Sequence, residues 1–217
     1  MFKSVSTSKK VLLSLGAIGT AAAMAGLGTF ATFTSSTSAS QAISSGTVSI
    51  ALGAAGADNR LTIGATGLVP GDSLQRRVKL TNAAGNEALA SITLTTVDTT
   101  TDPDTVLTTD ATNGLQMKLE KCGGALGWLE SATTPYTYTC NSVAAGDNLG
   151  TRTTVLARRA VIGATIALSS MSALAAGNTD DMVVTVDLPS TADNTFQTKS
   201  ATIQYTFNAT QRAAASK

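Results

Sequence analysis

Histidine is absent from this chain of 217 residues, and its absence excludes the commonest hydrolytic sites. A Ser-His-Asp or Cys-His arrangement needs an imidazole base, and a His-Glu-x-x-His zinc site needs two imidazole ligands. Carboxylates remain, and Asp98, Asp102, Asp104 and Asp110 lie close together in a threonine-rich stretch. Their spacing is not that of an EF-hand, so we favour a solvated acidic loop over a calcium site. We therefore expect no enzyme activity, no metal and no cofactor.

Charged residues are also scarce, at 13% of the chain, and the basic ones are not gathered into a patch. The pairs Arg76-Arg77 and Arg158-Arg159 lie in or beside apolar runs, and we interpret both as solvated faces of strands. Beyond residue 32 the chain has 12 basic and 14 acidic residues, a net charge of about −2. Nucleic-acid binding requires a dense set of lysine and arginine side chains. We expect no nucleic-acid partner.

The amino-terminal residues have the composition of a secretion signal. Lys3, Lys9 and Lys10 flank the start of an apolar stretch at residues 11–27, and small residues follow it. The uncharged run at residues 11–34 is also long enough for a membrane anchor, but its many small residues favour a cleaved signal. We predict a signal peptide at residues 1–32, cut by a signal peptidase between Thr32 and Phe33. The mature protein is then secreted, to the extracellular matrix or the cell surface, with no stable membrane anchor.

Cysteine occurs only twice, at Cys122 and Cys140. Their spacing is far from Cys-x-x-Cys, and an exported protein matures in an oxidising compartment. Two free buried thiols are the alternative, but we favour one structural disulfide. Trp128, the single tryptophan, lies between the cysteines, and we expect it in a core or a lid rather than stacked on a ligand.

Short runs of alternating apolar and polar residues make up most of the remaining chain. They include residues 48–52, 92–94, 115–119, 182–188 and 203–207, with threonine frequent at the outward positions. Such period-two patterns predict strands that place one face in a core. Turn sequences such as Pro70-Gly71-Asp72 separate the runs. Residues 155–174, rich in alanine, are ambiguous between a strand and a helical turn.

Together these patterns predict an all-β fold: an antiparallel two-sheet sandwich, jelly-roll-like, with one short helical or ambiguous segment. We expect one domain, because about 185 residues remain after the signal. These residues divide into an N-terminal segment (33–52), the β-sandwich domain (53–212) and a polar tail (213–217).

Four sequence features occur in a characteristic order. Gly-Thr-Phe-Ala-Thr-Phe stands at residues 28–33, and Ser-Gly-Thr-Val-Ser-Ile at residues 45–50. Leu-Val-Pro-Gly-Asp at residues 68–72 precedes a strand, and residues 194–197 lead to a final strand at residues 205–211. In this order they resemble the TasA/camelysin family of secreted proteins, which a SipW-type signal peptidase releases. The features resemble its cleavage region, first strand entry, Pro-Gly-Asp turn and terminal strand.

The resemblance implies a jelly-roll-like fold and a structural function. The best-known family members form fibres of the biofilm matrix, in which the segment after the cleavage site is thought to complete a sheet in the next subunit. Here the implied donor strand lies at residues 33–52, with Val48, Ile50 and Leu52 on its inserting face. We expect self-association into extracellular or cell-surface fibres. The alternatives are a camelysin-like metalloendopeptidase, for which we find no ligand set, and a monomeric surface-binding module.

Overall fold

The computed structural model describes residues 49–61, 68–100 and 106–213. The chain divides into two units, Met1–Ser44 and Ser45–Lys217, and all described residues belong to the second. Its strands are β1 (Ala51–Leu52), β2 (Ser73–Thr81), β3 (Leu89–Asp98), β4 (Gln116–Cys122), β5 (Gly127–Glu130), β6 (Tyr138–Asn141), β7 (Arg152–Ala160), β8 (Gly163–Ala167), β9 (Thr179–Asp187) and β10 (Ile203–Gln211). The described helical elements are α1 (Val106–Thr109) and the 3₁₀ turns Ser172–Leu174 and Asn194–Phe196.

Two antiparallel sheets enclose a shared core. The larger sheet has the strand order β1-β2-β9-β4-β7, and the smaller has the order β10-β3-β8. Strands β2, β3 and β4 alternate between the sheets, and so do β7, β8 and β9, so the chain wraps around the sandwich as in a jelly roll. The predicted all-β antiparallel sandwich is therefore confirmed.

Alternation along the strands fills the core. In β2, Val78 and Leu80 are fully buried, while Lys79 between them is only partly buried on the opposite face. Ile92 and Leu94 of β3 point inward in the same way and meet them from the smaller sheet. Each inward aliphatic side chain of this size stabilises the fold by about 1.5–3 kcal/mol relative to an exposed one. The period-two pattern thus sets which residues form the core.

Strand β9 is apolar on both faces because a separate hairpin covers its outer side. Met182 and Val184 belong to the sandwich core, whereas Val183 packs with Trp128 and Tyr138 of the β5–β6 hairpin. The indole Nε1 of Trp128 donates a 3.0 Å hydrogen bond to the carbonyl of Asp181, and the side chain is 2% exposed. Trp128 therefore occupies a small core of its own, between the hairpin and the larger sheet.

The predictions made from local sequence patterns agree with the structure to different extents. Gly71 adopts φ 98° in the turn before β2, which suits a residue without a Cβ. The ambiguous residues 155–174 contain most of β7, all of β8 and one 3₁₀ turn, so both kinds of structure occur there. The strand predicted at residues 48–52 is shorter: only Ala51 and Leu52 pair with β2, and Val48 lies outside the described residues. None of the helices in the described ranges has the length and apolar character needed to cross a membrane.

Candidate functional site

The smaller sheet ends in a long strand that carries no charge. Strand β10 pairs with β3 over its whole length and, among the described strands, has no neighbour on its other side. Its nine residues, Ile203–Gln211, include no charged residue and no proline. Edge strands usually carry such residues because they discourage pairing with another chain. This edge has neither device.

The opposite edge of the larger sheet is protected. Strand β7 pairs with β4 and contains Arg152, Arg158 and Arg159 among its nine residues. Arg158 is held along the sheet by two hydrogen bonds, of 3.1 and 2.6 Å, to the carboxylate of Asp187. Within the described part of the chain, the two long edge strands therefore differ sharply in charge.

Strand β2 is only partly covered beside β10. Strand β1 pairs with the last two residues of β2. In the segment after β1, the amide of Arg60 donates a backbone hydrogen bond to the carbonyl of Arg77. The amide of Lys79 donates one to the carbonyl of Asp58. For residues 73–75, the described chain supplies no backbone partner on the side away from β9. Among the described residues, none therefore bridges the beginning of β2 and the edge of β10 by backbone pairing.

A cavity of about 590 Å³ occupies this opening, which we call the edge cleft. Its walls are mainly apolar and come from β2, β9, β10 and the segments that flank β2. The apolar lining residues are Leu52, Leu61, Leu68, Leu74, Leu115, Val184, Val186, Ala201 and Ile203. A cleft of this size with few polar groups has the usual character of a binding site.

Two polar side chains within the edge cleft are distinctive. Arg76 faces inward at 7% exposure, and its Nη1 donates a 2.7 Å hydrogen bond to the carbonyl of Gln75. Burial lowers the pKa of Arg76, because the charged guanidinium is withdrawn from water. Burial also raises the pKa of Tyr205 to about 12, against the opposing influence of the Arg76 charge. The phenol of Tyr205 is therefore protonated at neutral pH.

The position of Arg76 corrects the sequence interpretation. We expected Arg76-Arg77 on a solvated strand face, but only Arg77 is on the outer face, where it pairs with Asp181 at 2.7 and 2.5 Å. Arg76 shares the inward row of β2 with Leu74 and Val78. Arg76 stands two positions from both Leu74 and Val78, so the period-two spacing in the sequence indicates an inward side chain. Only the charge of Arg76 argues for the outer face.

A disulfide bond joins Cys122 at the end of β4 to Cys140 in β6. It ties the hairpin to the larger sheet beside Trp128, and Cys140 is fully buried. The guanidinium of Arg152 lies 5.4 Å from the centre of the Trp128 ring. Gly150 is required nearby, since a Cβ there would lie 2.6 Å from the Cys140 sulfur.

The same hairpin holds the segment that precedes β2. Arg60 donates two hydrogen bonds, of 2.9 and 2.5 Å, to the carboxylate of Glu130 in β5, and its guanidinium lies 4.5 Å from the centre of the Tyr136 ring. The hydroxyl of Tyr138 donates a further 2.7 Å bond to Glu130. The hydrogen bonds from Arg60 lower the pKa of Glu130, and burial followed by the Glu130 contact raises the pKa of Tyr138 to about 12.

The positions predicted for the donor strand and for signal cleavage lie only partly within the described residues. Ile50 packs against the main core, and Leu52 is 43% exposed and lines the edge cleft of its own subunit. Val48 and the cleavage positions Thr32 and Phe33 lie outside the described residues.

The predicted acidic loop, from Asp98 to Asp110, is also described only in part, because Asp102 and Asp104 lie outside the described residues. Asp98 accepts hydrogen bonds from the amide of Thr100 and the hydroxyl of Thr108, at 2.9 and 3.0 Å. Asp110 instead accepts from the amides of a separate turn. In the described ranges no group of three metal-ligating side chains comes together.

In the described part of the chain, these features define a two-sheet β-sandwich with an uncharged edge strand, β10, and a disulfide-tied hairpin. Residues 6–124 match the family model described as camelysin metallo-endopeptidase. The match covers more than half of the chain, so the chain belongs to the camelysin metallo-endopeptidase family, in agreement with the resemblance in its sequence. No curated protein matches the chain.

The family description implies a catalytic metal, and the donor set can be compared with that expectation. Zinc peptidase sites use imidazole ligands, and this sequence contains no histidine. Both cysteine sulfurs are joined in the disulfide, so neither is available as a thiolate. The residues present do not fit a histidine-based zinc centre, and we derive no reaction step through a metal.

Proposed function

We propose that this chain is an exported structural protein that assembles into extracellular or cell-surface fibres by β-strand addition. The observation that supports the proposal best is the uncharged edge strand β10, which has no partner on its outer side among the described strands and lies beside the apolar edge cleft. The resemblance of the sequence to the fibre-forming TasA-type proteins also supports the proposal, whereas the family match by itself does not distinguish this function from a peptidase.

Strand addition uses both parts of this opening. The backbone of an incoming strand hydrogen-bonds to the outward amides and carbonyls of β10, for which the described residues supply no partner, and every second side chain points into the edge cleft. There it contacts Ile203 of β10 and Leu74 and Val186 of the facing sheet, all of which line the cleft. The backbone bonds supply affinity, and the buried side chains set the register.

The donor in this proposal is the segment at residues 33–52 of a neighbouring copy. Ala51 and Leu52 pair with β2 of their own subunit, so a segment that reaches a neighbour pivots close to these two residues. Val48 and Ile50 are then the apolar side chains that enter the neighbouring cleft. Removal of the signal peptide between Thr32 and Phe33 is the step that frees the segment.

The competing function is the metallo-endopeptidase activity in the family description. The donor set does not support it, because the sequence lacks imidazole and its two sulfurs are bonded to each other. We therefore assign no catalytic residue to this chain.

Two substitutions on the same strand test the role of the edge cleft. Ile203→Lys places a charge on its wall, whereas Thr206→Lys places the same charge on the outer face of β10, where Thr206 is exposed. We expect Thr206→Lys to form fibres under electron microscopy and Ile203→Lys to remain monomeric with the cooperative melting of a folded protein. Fibre formation by folded Ile203→Lys at the wild-type rate would contradict the proposal, and so would a wild-type protein that never polymerises.

A further inference from the structure

The two sheets of the sandwich differ in charge. Within the strands of the smaller sheet, β3, β8 and β10, Asp98 at the end of β3 is the single charged residue. Strands β2, β4, β7 and β9 of the larger sheet contain three charged residues each. Charged side chains are what usually keeps an exposed protein surface soluble. The outer face of the smaller sheet lacks them.

This outer face carries hydroxyl and amide side chains instead. Four of them come from alternate positions of β10 and are exposed: Gln204, Thr206, Asn208 and Thr210. The register places Asn208 opposite Thr93 of β3, and Thr210 opposite Ser91. Because paired residues of neighbouring strands share a face, the central part of the sheet continues the same uncharged polar surface.

One short motif on this surface has a known chemistry. Asn208-Ala209-Thr210 is an Asn-x-Thr sequence, the acceptor for N-linked sugar chains in exported proteins. Of the nine asparagines in the chain, Asn208 is the single one with serine or threonine two positions later. Asn208 and Thr210 are both exposed on the outer face, while Ala209 between them packs against the main core. Both side chains that define the motif are therefore accessible.

The fold makes little use of the Asn208 amide. Its Nδ2 lies 3.5 Å from the carbonyl of Thr206, beyond the usual range of an N–H···O hydrogen bond. Buried Asn82 and Asn141 instead donate from Nδ2 to carbonyls of Glu87 and Ala144, at 3.2 and 2.8 Å. A substituent on Nδ2 of Asn208 thus points to solvent and breaks no strong hydrogen bond.

We propose that Asn208 carries an N-linked oligosaccharide, transferred from a polyprenyl-pyrophosphate sugar donor when the chain is exported. Nδ2 bonds to the anomeric carbon of the donor, and the bond from that carbon to the pyrophosphate oxygen breaks. The pyrophosphate leaves with the electron pair, and a carboxylate of the transferase takes the amide proton. The inference rests on the export in the proposed function and not on fibre assembly.

A sugar chain at Asn208 hydrates the uncharged face without closing the sheet edge. Side chains leave a strand perpendicular to the direction of its backbone hydrogen bonds, so the outward amides of β10 stay accessible. Sheets that stack face to face lie about 10 Å apart, which leaves no room for an oligosaccharide. The modification therefore permits strand addition at β10 and prevents two smaller sheets from stacking.

The test is a peptide map of the protein secreted by its own host. Trypsin cleaves after Lys199 and Arg212 and releases residues 200–212, which contain the whole motif. We expect this peptide to gain the mass of a sugar chain, and fragmentation should place the sugar on Asn208. An unmodified peptide from the secreted wild type overturns the proposal.

Two conservative changes at Thr210 form a matched pair. Thr210→Ser keeps the hydroxyl and should retain the sugar, whereas Thr210→Val keeps the branched shape and should lose it. Asn208→Gln should lose it as well. Both positions are exposed, so all three variants should melt as the wild type does. Sugar that persists on residues 200–212 in Thr210→Val or Asn208→Gln would contradict the assignment, because it would be attached through a hydroxyl.

The outcome is separable from the proposed function. If the secreted protein carries the sugar but forms no fibres, fibre assembly fails and the modification site stands. If fibres form from protein whose peptide is unmodified, the modification site fails alone. Where both hold, electron microscopy should show single wild-type fibres and side-by-side bundles of Asn208→Gln fibres. Single fibres in both proteins would contradict the shielding of the outer face.

Discussion

Arg60 and Glu130, 70 positions apart in the sequence, form a two-point ion pair that joins the segment before β2 to the disulfide-tied hairpin. Both side chains are largely shielded from water, with 19% and 14% of their surfaces exposed. Tyr136 contacts the guanidinium and Tyr138 donates to the carboxylate, so the pair belongs to a network. This network fixes the chain at Arg60, and any strand exchange must therefore pivot before this residue.

Trypsin offers a direct measure of that restraint, because it cleaves after arginine. We predict that Glu130→Gln increases cleavage after Arg60 under native conditions, since the neutral amide no longer holds the guanidinium. Glu120→Gln is a matched control, because Glu120 pairs with Lys118 elsewhere on the larger sheet. Peptide mapping of brief digests should show faster cleavage after Arg60 in the first variant alone. Equal rates in both variants would indicate that the pair does not restrain the segment.

Acid should weaken the same contact. Hydrogen bonds from Arg60 lower the pKa of Glu130, so the folded state binds this proton less tightly than the unfolded state does. Its contribution to stability is therefore complete above the unfolded pKa, about 4.3, and is lost as the pH falls towards the lower folded value. Between about pH 5 and pH 3 the Tm of the wild type should fall more steeply than that of Glu130→Gln.

The prediction concerns the difference in Tm between the wild type and Glu130→Gln at each pH. Asp110, Asp147 and Asp193 also have pKa values lowered by hydrogen bonds to nearby amides or hydroxyls, and they make both proteins acid-labile. Parallel melting curves across that pH range would show that Glu130 adds nothing to the common background.

The single tryptophan makes the hairpin visible to fluorescence. Replacing Cys122 and Cys140 together with alanine removes a cross-link between residues 18 apart, which should lower stability by about 3 kcal/mol in the chain-entropy model. Because Trp128 packs beside the disulfide, its emission should shift to longer wavelength at lower denaturant concentration than in the wild type. Intact mass with and without reduction identifies the bridge in the wild type. Coincident unfolding curves would mean that the bond adds no stability.

The sequence predicted the sandwich better than it predicted the site. Alternation identified the cores of the long strands, because a half-buried sheet face imposes it, but residues 182–188 were predicted with one buried face, and Val183 is buried on the other. It did not predict that the β5–β6 hairpin supplies the second cover. Arg76 was missed because an arginine in an inward row runs against hydrophobicity, and the Arg60 pair because contacts 70 residues apart leave no local pattern.

A proteolysis assay separates the proposed structural function from the metallo-endopeptidase activity in the family description. We predict that the purified protein leaves casein intact, with or without added zinc or calcium, because the chain has no imidazole and its sulfurs are oxidised. The Asp102→Ala, Asp104→Ala double variant is the control for a carboxylate-only site. Chelator-sensitive cleavage that survives repeated purification and disappears in that variant would establish an enzyme instead.

Removal of the proposed donor gives the last prediction. Sequencing of the secreted protein should first show that it begins at or within two residues of Phe33, which defines the segment to be shortened. Deleting residues 33–45 should then leave a folded, disulfide-bonded monomer, because the main core is formed by strands of the described sandwich. The same deletion should abolish fibre growth, since it removes the reach that carries Val48 and Ile50 to a neighbouring edge cleft. Light scattering and electron microscopy measure growth, and circular dichroism checks the fold. A shortened protein that forms fibres as readily as the complete mature chain would eliminate donor-strand assembly, even if the fibres themselves are real.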